Sequence, residues 1–172
     1  YSAVFKKSAF QHQHNVKLEG GNDRIQSYAS LGFMTDNGLL QSGDIGYNKL
    51  SFRSGTTIKI NDRLSVDLIL SGFTDLRKQP GTWNGAFFYL NKATNGTIPS
   101  ETIYANNNPN YFNRPMPLND NPVQFADRDV FGYREWRTRL FQSTVGVNYA
   151  IPYVPGLKIR LQGAYDLSLI HI

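Results

Sequence analysis

Apolar and polar side chains alternate with a period of two along six stretches of the chain, the pattern of β-strands that carry one apolar face. From Gln11 to Glu19, Val16 and Leu18 alternate with Asn15, Lys17 and Glu19. Gly20, Gly21, Asn22 and Asp23 then predict a tight hairpin, with the glycines supplying tolerance of positive φ, and Arg24 to Met34 returns as a second strand. In Tyr47 to Ile60, Leu50, Phe52, Thr56, Ile58 and Ile60 oppose Lys49, Ser51, Arg53, Thr57 and Lys59. After a minimal turn at Asn61 to Arg63, Leu64 to Phe73 sets Leu64, Val66, Leu68 and Leu70 against Ser65, Asp67 and Ser71. Phe141 to Ile151 and Leu157 to Asp166 repeat the alternation on either side of a short connection at Pro152 to Gly156.

Length gives this pattern its meaning. Stretches of nine to fourteen residues exceed the five or six usual in globular sheets and match the tilted crossing of a bilayer by a barrel strand. The connections alternate too. Between the short turns lie Thr35 to Gly46, built around Asn37-Gly38 and Gly43-Asp44, and a stretch from about residue 75 to 138 rich in Asn and Pro. A loop of that size is anomalous in a compact soluble domain but is expected on the outer side of a barrel whose other side carries tight turns. The fold class is therefore all-β, an antiparallel meander of about six long strands from the wall of an outer-membrane β-barrel, with the short turns on the periplasmic side. Tyr149 and Tyr153 suit an interfacial aromatic girdle. Lys49, Arg53, Lys59, Asp67, Lys158 and Arg160 are expected to face the lumen, because on the lipid side near mid-bilayer each basic residue would cost about 2 to 4 kcal/mol.

Composition adds limits. With 172 residues, 40% hydrophobic and 18% charged, the chain is long and apolar enough to build a domain and lacks the makeup of a disordered one. No run reaches the roughly 18 apolar residues of a membrane-spanning helix, and a negative mean hydropathy is what a barrel wall gives, since only alternate side chains meet lipid. The absence of Cys excludes disulfide scaffolds and thiolate metal sites. The net charge of +5 is spread along the strands without a basic block interleaved with aromatics, so no nucleic-acid partner is expected.

The ordered series HNVKLEGGNDRIQSYASLGFMTDNGLL, YNKLSFRSGTTIKINDRLSVDLILSG, the later Asn121-Pro122-Val123 and YVPGLKIRLQGAYD resembles the SusC-like (SusC/RagA) TonB-linked outer-membrane transporters of the Bacteroidetes, over nearly the whole chain. That resemblance implies a large closed barrel with an N-terminal plug, coupling through the TonB complex, a SusD-like surface lipoprotein as partner, and import of oligosaccharides or peptides. Six strands do not close such a barrel, so residues 1–166 are expected to be part of a barrel domain lacking its plug and TonB-contacting segment. Leu167 to Ile172 (LSLIHI) reads as the translation of a transposon-adapter end used in library preparation, and is expected to be a non-native tail.

Candidate chemistry is sparse. His12 and His14 share a strand face but lack the further ligands a metal site needs, and they are expected to be wall residues. Asp127, Arg128, Asp129, Arg134, Glu135, Arg137 and Arg139 form the densest charge cluster, which fits a charge ladder on a returning strand better than a catalytic pair, for no pocket surrounds the carboxylates. Gly20 and Gly21 precede no helix and so cradle no phosphate. No enzyme activity, metal or cofactor is expected. The best candidates for ligand binding are the aromatics of the long loop, Trp83, Tyr89, Tyr104, Tyr111 and Trp136, which can stack on sugar rings; the pattern favours the same residues as a small local core of the folded loops or a docking surface for a partner lid. The rival to a transporter wall is a soluble β-sandwich binding carbohydrate through that loop, whose apolar faces would meet in an interior; a secreted hydrolase ranks last.

Overall fold

The computed structural model of the protein describes residues 3–81, 95, 102–113, 121–154 and 156–171. Six antiparallel strands form one open sheet in the order β1-β2-β3-β4-β5-β6: β1 is Gln11–Gly21, β2 Ile25–Asp36, β3 Gly46–Lys59, β4 Leu64–Pro80, β5 Tyr133–Ala150 and β6 Lys158–His171. Each strand pairs with its sequence neighbour, as in a barrel wall that has not closed. Among the described residues no helix is long and apolar enough to cross a membrane.

Two of the short turns use one device. Asn22 Oδ1 accepts hydrogen bonds from the backbone N–H groups of Arg24 and Ile25, each at 2.9 Å, and Asn61 Oδ1 accepts from Arg63 and Leu64 at the same distance. The side chain thus replaces a backbone carbonyl and closes the hairpin. Gly20 and Gly21 do not play the part the sequence suggested. Both lie within β1, and neither is among the glycines at positive φ, which among the described residues are Gly38, Gly43, Gly132 and Gly156. Gly38 and Gly43 do occupy the left-handed region at the two turn signals of the β2–β3 connection, at φ 60° and 79°.

The strands extend further than the apolar pattern showed. β4 continues to Pro80 and β5 begins at Tyr133, so the loop expected from about 75 to 138 narrows to the connection between those residues. Asp75, Arg77, Lys78, Arg134, Glu135, Arg137 and Arg139 hid this extension: charges stand on both faces there, so the hydrophobic signal vanishes while the backbone ladder runs on from Thr74↔Arg139 to Pro80↔Tyr133. Lys78 Nζ and Glu135 Oε1, opposite each other in that ladder, lie 3.6 Å apart. β6 likewise passes the expected end at Asp166 and pairs with β5 as far as Arg137↔His171, since the long partner strand offers unpaired backbone groups to whatever follows.

The buried apolar cluster lies at one end of the sheet. Val4, Leu40 and Ala126 form it, with Phe5, Ile45, Val123 and Phe125 packed around them. Backbone bonds from Lys6 N to Leu39 O and from Gln41 N to Val4 O, both 2.8 Å, tie the segment before β1 to the β2–β3 connection. Arg128 N donates to Asp44 Oδ2 at 3.3 Å and joins the β4–β5 connection to the same assembly. The long connections thus fold on one another at the sheet end opposite the two Asn turns.

Candidate functional site

Register fixes which side chains share a face, because directly paired residues project to the same side of a sheet. One face is apolar across all six strands: Val16↔Leu31, Leu31↔Phe52, Phe52↔Gly72, Gly72↔Phe141 and Phe141↔Leu167 make one continuous row. Nothing among the described residues packs over this face. Val16 is 60% exposed and Leu161 70%, and Leu18, Leu31, Leu50 and Val145 are exposed as well. Leaving a large aliphatic or aromatic side chain in water rather than burying it forfeits about 1.5 to 3 kcal/mol, so a face of this extent demands a nonaqueous neighbour. The sandwich alternative requires a second sheet against it, and the described residues form only one.

Gly72 shapes the middle of that face. Phe52 and Phe141 flank it from the neighbouring strands with ring centroids 6.4 Å apart, and a Cβ at Gly72 would stand 2.8 Å from Phe52 Cε1 and 2.6 Å from the carbonyl oxygen of Leu140. A side chain there would displace the Phe52 ring and press on the Leu140 backbone.

The opposite face is polar and holds all six residues expected to line a lumen. Lys49, Arg53 and Lys59 on β3, Asp67 on β4, and Lys158 and Arg160 on β6 share it by register. Asp67 is its best-connected member. Thr57 Oγ1 donates to Oδ1 and Asn148 Nδ2 to Oδ2, each at 2.8 Å, and Arg160 Nη2 lies 3.9 Å from Oδ2. Arg53 Nε donates to the Tyr28 hydroxyl at 3.1 Å, and Lys49 Nζ sits 4.5 Å above the Phe73 ring. Glu19, Gln26, Tyr28, Thr57, Asp67 and Arg160 border an open depression of about 630 Å³ toward the Asn-turn end of this face.

Farther along the same face, Tyr47, Arg77 and Trp136 form a row across β3, β4 and β5. The Arg77 guanidinium lies 5.5 Å from the Tyr47 ring, Arg134 lies 5.4 Å from the Trp136 ring, and the Tyr47 hydroxyl donates to Asp75 Oδ2 at 3.4 Å. Asp75 is only 5% exposed and its Oδ1 lacks a hydrogen-bond partner. Apolar periodicity does not reveal this belt, because from Asp75 onward charges on both faces make the strand read as loop; the alternation of Asp75, Arg77 and Gln79 with Thr74, Leu76 and Lys78 is the signal that marks it.

The aromatics assigned to ligand binding separate. Trp136 is a wall residue within β5, not a loop residue, because the charged ladder carries the strand past it. Tyr104 packs against Phe112 with centroids 5.6 Å apart, a local-core contact, whereas Tyr111 between them in sequence is 65% exposed. Trp83 and Tyr89 lie outside the described residues. Asn121, 3% exposed, binds this region together: its Nδ2 donates to the carbonyls of Ile103 and Asn113 at 2.8 Å each, and its Oδ1 accepts from Val123 N at 3.1 Å.

The charge cluster is largely engaged. Asp127 Oδ1 accepts from Asp129 N at 2.8 Å and caps the helical turn Arg128–Phe131, Arg128 sits 4.5 Å above the Tyr133 ring, and Glu135 pairs with Lys78. His12 and His14 project from β1 on the apolar face with ring centroids 5.5 Å apart.

No family model matches the sequence, and no curated protein matches it. Among solved structures the chain is similar to one described as the RagAB peptide importer in the "closed-closed" state, with a TM-score of 0.57 and 22% identity. The alignment covers 97% of this chain and 18% of that one. The chain therefore has the fold of a β-barrel wall segment and spans under a fifth of the length of the chain it matches.

Proposed function

We propose that this chain is part of the wall of a TonB-dependent outer-membrane transporter that imports bulky nutrients such as oligosaccharides or peptides, in the SusC-like family. The carrying observation is the two-faced sheet: long strands with an exposed aliphatic face, an opposed face bearing paired charges, and short turns at one end only. Lipid satisfies the first face, a hydrated lumen the second, and a bacterial outer membrane is the setting in which such walls occur. The likeness to a peptide importer supports the same assignment and favours peptides among the cargoes.

On this reading Lys49, Arg53, Lys59, Asp67, Lys158 and Arg160 line the lumen, and the belt of Tyr47, Arg77 and Trp136 stands at its outer mouth with the folded connections above it. A SusD-like lipoprotein and the TonB complex act through parts of the transporter beyond this chain. The chain supplies wall and lumen surface, with no catalytic step.

Uptake of a labelled peptide mixture and a labelled oligosaccharide by cells with and without the full-length gene tests the function. Uptake of either that requires both this gene and an intact TonB complex is the expected result. An encoded protein recovered in the aqueous fraction, binding carbohydrate without detergent, would overturn it in favour of the sandwich module.

A further inference from the structure

On the apolar face of β5 the aliphatic pattern ends in two arginines. Arg139 and Arg137 follow Phe141 on the same face, both are exposed, and neither has an ion-pair partner among the described residues. Glu135, the next residue of that face, is engaged by Lys78. The same face of the adjoining strands carries Thr74, Leu76 and Lys78 on β4 and, within the segment read as a non-native tail, Leu167, Leu169 and His171 on β6, with no acid among them. Two guanidiniums with no carboxylate partner among the described residues thus project outward where the aliphatic pattern of this face ends.

Their height explains why they are tolerated. Tyr149, an exposed aromatic, marks the edge of the apolar face at the short-turn end, and Arg139 lies ten residues from it along β5. At about 3.4 Å per residue and a tilt of about 45°, that separation is about 24 Å along the membrane normal. The apolar band of an outer-membrane barrel is about 25 Å tall. Arg139 therefore stands at the far rim of the band, and Arg137, at about 29 Å on the same arithmetic, just beyond it. Residues two apart on one strand face are about 7 Å from each other, close enough for both guanidiniums to grip one phosphate, and the guanidinium fork matches phosphate oxygens bidentately.

We propose that Arg137 and Arg139 form a binding site for the phosphorylated headgroup of an outer-leaflet lipid, whose acyl chains lie along Phe141 and the aliphatic row below. Resting on the transporter-wall assignment, this site adds a lipid ligand on the outside of the barrel, distinct from any cargo in its lumen.

The test uses the full-length protein in detergent, titrated with lipid A and, separately, with lipid A stripped of phosphate, reading bound lipid by native mass spectrometry. Wild type should retain lipid A; Arg137→Gln with Arg139→Gln should weaken retention about tenfold or more, and Arg137→Lys with Arg139→Lys should restore part of it. Stripped lipid should bind all three alike and weakly. Equal retention of lipid A by wild type and the Gln pair, or equal binding of the stripped lipid by wild type, overturns the site. Single Arg139→Gln replaces the pair if the pair fails to give a heat-modifiable barrel on gels. Failure of the wild type itself to form such a barrel removes the transporter assignment and this site with it, whereas a folded barrel indifferent to both arginines removes only the site.

Discussion

Asp67 and Arg160 meet diagonally across β5, 3.9 Å apart: Asp67 pairs with Gly146 and Arg160 with Asn148, and the arginine side chain reaches toward the carboxylate over the bare Gly146. A Cβ on Gly146 would meet Arg160 Nη2 at 3.5 Å and Asp67 Cβ at 3.7 Å, ordinary contact distances, so a methyl fits and anything longer occupies the path of the pair. The ion pair itself is weak. Arg160 is 57% exposed, and solvent screening leaves such a pair no more than about 1 kcal/mol. The two hydrogen bonds from Thr57 and Asn148 are shorter and hold the carboxylate in place.

Removing the Asn148 amide is accordingly expected to cost more than removing the Arg160 charge. Asn148→Ala should destabilise the folded barrel by about 1.5 to 3 kcal/mol, the worth of a hydrogen bond to a charged group, and Arg160→Gln by under about 1 kcal/mol. Urea titration of the full-length protein in detergent micelles measures both. A larger loss for Arg160→Gln would mean that the ion pair, not the hydrogen bonds, fixes Asp67.

Gly72 and Gly20 make a matched pair of probes on the apolar face. A Cβ at Gly72 collides with Leu140 O and Phe52, whereas a Cβ at Gly20 has nothing within 4 Å. Gly72→Ala should cost about 1 to 3 kcal/mol through overpacking, and Gly20→Ala should be neutral or slightly stabilising. The same unfolding titration compares them, and equal effects would contradict the packing of Phe52 over Gly72.

Charge placed on the apolar face separates membrane from water as its neighbour. Leu68→Arg is expected to impair folding into phosphatidylcholine vesicles by about 2 to 4 kcal/mol if the residue lies near mid-bilayer, while Arg53→Leu on the polar face should fold normally. Gel mobility with and without heating reports the folded fraction. A harmless Leu68→Arg together with an Arg53→Leu that abolishes insertion would reverse the assignment of the two faces.

Asn121 ties the long connection to itself, so its loss should loosen that region and leave the wall intact. Asn121→Ala gives up two donated hydrogen bonds and a helical-turn cap; Asn121→Asp keeps the cap but turns a carboxylate toward the carbonyls of Ile103 and Asn113. Both variants should be cut faster by added protease between residues 102 and 131, with Asp the worse. Cleavage at wild-type rates would show that Asn121 is not the tie.

All six strands were legible because β-sheet periodicity is local. In β3 the alternation of Leu50, Phe52 and Ile58 with Lys49, Arg53 and Lys59 assigns both faces without any knowledge of neighbours. The outer ends of β4 and β5 were not legible, since Arg77, Lys78, Arg134 and Glu135 put charge on both faces while the backbone ladder that fixes those ends lies between segments far apart in sequence. The cluster of Val4, Leu40 and Ala126 was invisible for a related reason: its members come from the segment before β1 and from two separate connections, and no periodicity links them. The belt of Tyr47, Arg77 and Trp136 disappeared with the strand ends that carry it. The turns show the converse, because Asn22 and Asn61 act on residues two and three ahead and leave a signature readable in place.

The central claim is that alternate residues of one strand meet lipid and water, and the absence of native cysteine in this chain makes a cysteine scan direct. Single substitutions Leu50→Cys, Ser51→Cys, Phe52→Cys and Arg53→Cys, made in the full-length protein with any cysteine outside this chain replaced by Ser, in outer-membrane vesicles, would be exposed to a membrane-impermeant maleimide after permeabilisation and, separately, to a lipid-dissolved one. The account predicts that Ser51→Cys and Arg53→Cys react with the aqueous reagent while Leu50→Cys and Phe52→Cys react only with the lipid-dissolved reagent. Uniform aqueous labelling of all four, or labelling without the two-residue period, would contradict it.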